Sequence, residues 1–159
     1  MKSTTQIALG GGCHWCTEAV FQQLEGVYTI QQGYVASNGE NSSFSEAILF
    51  EYNSDIISLQ KLIYVHLLTH QSTSNHSFRK KYRSAVYYFS EDQKTEITNT
   101  IIYLQKKFDQ KIITQVLPFI EFKPSRESIQ NYYTKNPDSP FCKRYIIPKL
   151  KLLEDKLKV

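Results

Sequence analysis

Hydrophobic and polar positions along the chain mark out a series of short strands and helices. Ile7-Ala8-Leu9 is a compact apolar run closed by three glycines, Gly10 to Gly12, and reads as a strand ending in a turn. A helical pattern follows over 16–25, and Gly26-Val27 stops it with glycine just past the last turn. Val27 to Val35 alternates in part and predicts a second strand; the polar run 36–43 is a loop, and Glu46 to Tyr52 is a third strand. Ser58 to Thr69 predicts a helix, with apolar residues at 59, 62, 63, 67 and 68 and Ser58 as its N-cap. Residues 70–80 read as an irregular polar loop. Ser84 to Phe89 is rich in β-branched and aromatic residues and predicts a strand. Ser90 then caps a long helix reaching about Phe108, with Gln93 at the capping-box spacing. Ile112 to Pro118 predicts a fifth strand, which Ile120 to Phe122 extends or follows. Ser128 to Tyr133 predicts a short helix that stops before Pro137, and Lys149 to Lys158 a terminal helix. Strands alternating with helices around one mixed or antiparallel sheet suggest a two-layer α+β domain. No repeat or linker divides the chain, and 159 residues suit a single domain, 1–159.

Composition narrows the class. Hydrophobic residues are 41% and charged residues 21%, an ordinary globular balance. The start, Met1 to Gln6, lacks a long apolar segment, and no apolar run approaches the roughly 18 residues of a membrane span. The expectation is a soluble cytoplasmic protein with no membrane partner. Three cysteines there argue against a disulfide framework and for catalytic or metal-binding thiols. The net charge of +4 comes largely from Arg79-Lys80-Lys81, Arg83 and the tail from Lys143 to Lys158. No nucleic-acid motif accompanies it, so it reads as a solvated face and a basic terminal helix, with no nucleic-acid partner.

The chemistry concentrates in Gly10-Gly11-Gly12-Cys13-His14-Trp15-Cys16. This spacing puts Cys13 in a strand-to-helix turn, at or just before a helix N-terminus. Backbone N–H groups and the helix dipole favour an anion there, and a thiolate is an anion. The free thiol value of about 8.5 falls in such a setting. Glycines allow a tight turn and leave the sulfur open to a substrate. Packing alone would account for two buried cysteines, but not for three glycines set directly before them with Trp15 between.

The run Gly-Gly-Cys-His-Trp-Cys, followed by Glu18, Phe21 and Gly26-Val27, resembles the signature of the A-type peptide methionine sulfoxide reductases, which normally have Gly-Cys-Phe-Trp-Cys here. Further segments resemble that family in order: Gly33-Tyr34, Ser45-Glu46-Ala47, Lys81-Tyr82-Arg83-Ser84-Ala85, Glu121 to Pro124, Gln130 to Tyr133, Asn136-Pro137 through Cys142, and Pro148-Lys149. The resemblance covers about residues 7 to 150. There are departures: His14 stands for the usual Phe, and Phe44 for a His. The loop before Glu46 lacks the family's Cys-Ser-Gly-x-Thr-Gly stretch. Residues 75–81 replace a Gly-x-Asp-x-Gly loop and so lack its Asp, and Ser128-Ile129 replaces Tyr-His. These changes spare the reacting groups and alter the rim of the pocket.

The resemblance implies a two-layer ferredoxin-like sandwich with a mixed or antiparallel sheet and an extended C-terminal segment. It implies reduction of methionine S-sulfoxide, peptide-bound or free, with Cys13 as nucleophile. Glu46 would be the general acid, needing to hold its proton near neutral pH, as burial in an apolar pocket can arrange. Without the resemblance, Glu40 and Glu51 are equally plain carboxylates. Tyr34 and Tyr82 would donate hydrogen bonds to the sulfoxide oxygen. Trp15 would wall the substrate methyl group, with His14 opposite, either as a flat ring or lowering the thiolate pKa or admitting a more polar substrate. The sulfenic acid left on Cys13 would be resolved by Cys142, in a flexible tail, or by Cys16 on the same turn. Thioredoxin or a similar dithiol would reduce the disulfide, and no bound cofactor is implied.

Three other readings compete. Cys13 and Cys16 with His66 and His70 make a formal zinc set. Cys-x-x-Cys at a helix start suits a thioredoxin-like disulfide oxidoreductase. A member with an altered rim could also bind oxidised peptides without reducing them.

Overall fold

Strand β1, Thr5–Gly10, lies at the centre of a six-stranded sheet. The computed structural model describes residues 4–11, 14–70, 83–126 and 129–157. After β1 the chain forms helix α1 (His14–Gln22), β2 (Val27–Ala36), β3 (Ser45–Tyr52), α2 (Leu59–Thr69), β4 (Ala85–Tyr88), α3 (Glu91–Leu104), β5 (Gln115–Pro118), β6 (Glu121–Pro124), α4 (Tyr132–Lys135) and α5 (Ile147–Leu157). The strand order is β5-β4-β1-β3-β2-β6, with β4 and β5 parallel and the remaining neighbours antiparallel. The sheet is therefore mixed and the fold α+β. Among the described residues no helix is long and apolar enough to cross a membrane.

Strand side chains alternate between two faces. On one, Ile7, Leu9, Ile48, Phe50 and Val86 meet Val20 and Phe21 of α1, Leu62 and Ile63 of α2 and Ile97 of α3 in one buried cluster. Each of the larger side chains contributes about 1.5–3 kcal/mol by leaving water. On the other, Ala8, Val35, Ala47, Ala85 and Tyr87 pack with Leu117, Phe119 and Phe122. The helices thus share one face of the sheet, and residues of β3 and β2 pointing that way face α1.

The caps follow the sequence. Ser58 Oγ accepts the Lys61 N–H (3.1 Å) and Ser90 Oγ accepts the Gln93 N–H (3.2 Å). The Gln93 side chain turns back to accept the Phe89 N–H and donates to the Gln6 carbonyl, tying α3 to β1. Gly33 allows the close approach of β6, because a Cβ there would run into the Lys123 carbonyl and the Phe122 ring. Arg83 leads into β4 from inside the protein. Its guanidinium donates to Tyr87 Oη (3.1 Å), the Val35 carbonyl (2.9 Å) and the Ser43 carbonyl (3.1 Å), joining β4 to the end of β2 and the loop before β3.

Several boundaries differ from the sequence reading. Helix α1 begins at His14 rather than 16 and ends at Gln22, since Gln23 and Leu24 close a turn on Val20 and Phe21. β5 keeps only Gln115–Pro118 of the expected 112–118, because only those residues pair with β4. The short helix expected over 128–133 lies at Tyr132–Lys135, after Asn131 in the left-handed region (φ 57°). The tail is helical and buried at Cys142. A wide i→i+5 helical turn, Cys142–Ile146, runs directly into α5. Burial causes this: Cys142 and Ile146 are fully covered where they pack against Cys16 and Ala19 of α1.

Candidate active site

The site forms where β1 passes into α1. Gly11 has φ +152°, and a Cβ there would strike the His70 ring, so only glycine fits the turn. Cys13 and Tyr82 lie outside the described residues; Cys13 is the next residue in sequence before His14, which opens α1. Glu46 and Tyr34 are paired directly across β3 and β2, on the face that meets α1. Directly opposed residues of antiparallel strands have side chains within reach of one another. Glu46 is 5% exposed, and its Oε1 accepts the backbone N–H of His14 (3.1 Å). A carboxyl group from the sheet thereby takes up one of the unpaired N–H groups at the start of α1, where the helix dipole favours acceptors.

His14 is buried against both. Its ring centroid is 5.2 Å from that of half-buried Tyr34. Nδ1 lies 2.8 Å from Glu46 Oε1, a close polar contact rather than an aligned hydrogen bond. Nε2 lies 3.0 Å from Ser125 Oγ. The edge of the His14 ring is thus committed to Glu46 and Ser125. The partners of Trp15 come from the C-terminal segment, Tyr132 stacked at 4.3 Å and Phe141 edge-on at 5.0 Å. Trp15 Nε1 is buried and makes no hydrogen bond among the described residues.

Glu18 fastens that segment to α1. Its buried carboxylate accepts Gln32 Nε2 (3.0 Å), the Asn131 N–H (3.0 Å) and the Tyr132 N–H (3.3 Å). Burial pushes its pKa above the ordinary glutamate value, while the hydrogen bonds from Asn131, Gln32 and Tyr132 pull the other way. An acid with a raised native pKa contributes most stability below its ordinary value. That contribution is lost as pH rises through the native value. Urea unfolding across that window should show the loss in the parent protein and not in Glu18→Gln. Glu18→Ala, which strands two backbone N–H groups and an amide, should cost about 3 kcal/mol at neutral pH. A Glu18→Ala midpoint equal to that of the parent would refute this role.

Cys142 Sγ donates to the Asn136 carbonyl (3.0 Å) and is fully buried, beside Cys16. Of the two thiols considered as resolving groups, both are thus packed at the same contact between α1 and the C-terminal segment. The zinc reading gains no support. His66 and His70 stack on one another at 4.1 Å, and the nitrogens of His70 meet the Ser84 hydroxyl (2.7 Å) and the His66 carbonyl. Cys16 packs in a different cluster. Among the described residues no group of three or more His, Cys, Asp or Glu is arranged to hold a metal. Glu40 and Glu51 lie away from this cluster. Glu40 is exposed in the short turn Gly39–Asn41, and Glu51 accepts from Thr4 near the other end of β3. Ser125 and Gln32 carried no signal in the sequence; their place in the site comes from β6 pairing beside β2.

Comparison with known proteins agrees along the whole chain. The family model described as peptide methionine sulfoxide reductase matches residues 5–158. The peptide methionine sulfoxide reductase MsrA of Acinetobacter baumannii is 34% identical over 165 residues, covering 95% of each chain. The crystal structure of Mxr1 from Saccharomyces cerevisiae in reduced form superposes with a TM-score of 0.76 at 24% identity, covering 87% of this chain and 89% of that one. Mxr1 in complex with Trx2 superposes with a TM-score of 0.63 at 25% identity, covering 80% and 84%. These similarities displace the thioredoxin-like reading.

Proposed function

The chain belongs to the peptide methionine sulfoxide reductase family, and from that premise we propose how its residues carry the reaction. The substrate is methionine S-sulfoxide, in oxidised proteins or free. The thiolate of Cys13 attacks the sulfoxide sulfur. Glu46 gives its proton to the oxygen, with Tyr34 and Tyr82 donating hydrogen bonds to it. Methionine departs and the oxygen remains on Cys13 as a sulfenic acid. A second thiol, Cys142 in our reading, attacks that sulfur and releases water, leaving a disulfide. Thioredoxin or a similar dithiol then takes up the oxidised state and returns both thiols; the Mxr1–Trx2 complex supports this partner. Trp15, backed by Tyr132 and Phe141, receives the substrate methyl group.

The observation that carries this assignment is the placing of Glu46. It sits beside Tyr34 on the sheet and is hydrogen-bonded to the first residue of α1, one position along the chain from Cys13. We also read 1–159 as one domain and the strand order β4-β1-β3-β2, with its helices on one face, as a ferredoxin-like two-layer core. We assign the protein to the cytoplasm, where dithiol reductants keep such thiols reduced.

The test is reduction of the two separated epimers of a blocked methionine sulfoxide, driven first by dithiothreitol and then by thioredoxin. Only the S epimer should be consumed, with either reductant. Consumption of neither epimer would reject the reductase reading, and consumption of the R epimer would reject the stereochemical one.

A further inference from the structure

The residue whose task the family resemblance does not supply is His14, since phenylalanine usually stands there. Its ring is buried between two polar groups, with Nδ1 2.8 Å from Glu46 Oε1 and Nε2 3.0 Å from Ser125 Oγ. Polar atoms that close do not face each other lone pair to lone pair, so one atom of each pair carries a proton. Glu46 Oε1 already accepts the backbone N–H of His14, which suits it to accept again, and places the proton of the first pair on Nδ1. A neutral imidazole protonated at Nδ1 has an accepting Nε2. The Ser125 hydroxyl then donates to it. Ser125 is itself held in place. Its N–H donates to the Gln32 carbonyl (2.9 Å), and its carbonyl accepts from Gln130 Nε2 (3.2 Å).

We propose that Ser125 and His14 are positioning residues for Glu46. Ser125 sets the tautomer of His14, and His14 holds Oε1 as the accepting oxygen, so that the transferable proton resides on Oε2. The proposal deepens the reductase reading and rests on it. In the reductive step Oε2–H gives its proton to the departing sulfoxide oxygen and Glu46 becomes a carboxylate. Part of the new negative charge falls on Oε1, which already accepts the His14 backbone N–H and has Nδ1 at 2.8 Å. The imidazole ends the step with the proton it began with. Orientation of a reacting group through the second nitrogen of a histidine is a recurrent device, and loss of such a supporting partner typically costs about 10–100-fold. Phenylalanine at this position fills the space beside Tyr34 but offers Glu46 nothing.

The test uses the full-length protein labelled with ¹⁵N. The imidazole spectrum of His14 should report hydrogen on Nδ1 in the parent, and Ser125→Ala should shift the population toward Nε2. In turnover of the S epimer, His14→Phe should lower kcat about tenfold with little change in KM. His14→Asn, whose amide N–H can stand near Nδ1, should recover most of that loss. The rate at which iodoacetamide alkylates Cys13 should be the same in all three proteins, which separates an effect on Glu46 from one on the thiolate. Hydrogen found on Nε2 in the parent, a spectrum unmoved by Ser125→Ala, or an unchanged kcat in His14→Phe would each overturn the proposal. A parent protein that turns over neither epimer would reject the reductase reading alone, and the spectrum would still decide the role of His14.

Discussion

A Cys13→Ser protein is expected to reduce methionine sulfoxide no faster than the uncatalysed background, while folding as the parent does. The serine hydroxyl is not ionised near neutral pH and is a far weaker nucleophile than a thiolate. A thiolate is also the more polarisable nucleophile for sulfur, and only sulfur can carry the oxygen away as a sulfenic acid. The hydroxyl is nearly the size of the thiol, so the fold should tolerate it. The check is methionine release from the S epimer, with the parent assayed at equal concentration. Mass spectrometry of the parent, quenched without reductant, should place the first oxidation on Cys13. Residual turnover within tenfold of the parent would move the nucleophile elsewhere, and Cys16 would be examined next.

Glu46→Gln is expected to lower kcat by roughly 10²–10⁴-fold, the usual loss when a general acid is removed. Glutamine keeps the shape of the side chain. Its amide oxygen can still accept the His14 backbone N–H, so the start of α1 should keep its partner. What it lacks is an acidic proton for the sulfoxide oxygen. KM should change little, because the proton is transferred as negative charge builds on the oxygen during the reaction, after binding. Alkylation of Cys13 by iodoacetamide should proceed normally, since the nucleophile is intact. A Glu46→Gln protein with a parent-like kcat would leave proton delivery to Tyr34, Tyr82 or water, and would remove Glu46 from the catalytic set.

The sequence was most legible where local patterning and tertiary packing agree. The cap at Ser58 and the strand over Glu46 to Tyr52 are local facts that the folded chain keeps. The change from strand to helix was legible too: β1 ends at Gly10, where the glycines begin, and α1 starts at His14. What was hidden depends on distant pairing. β5 is short because only four residues meet β4, and no periodicity in 112–118 foretells that. Ser125 enters the site only because Gly33 lets β6 lie close against β2, a contact between residues nearly a hundred positions apart. His14 was read as a flat ring or a charge near the thiol. Its commitment to Glu46 and Ser125 requires knowing which face of β3 meets α1. Glu18 was visible as part of a motif, but its work of fastening Asn131 and Tyr132 is a tertiary event.

The covering of Cys142 has a consequence for timing. A thiol with no surface open to water is equally closed to peroxide, so the spare sulfur is kept from wasteful oxidation while the enzyme waits. If Cys142 is the resolving thiol proposed above, a partner outside this packing reaches it once the Cys142–Ile146 turn loosens from Ala19. Such local opening has its own free energy, separate from that of global unfolding. In that reading the strength of a small apolar contact, and not sulfur chemistry alone, bears on how soon the protein can accept the next methionine.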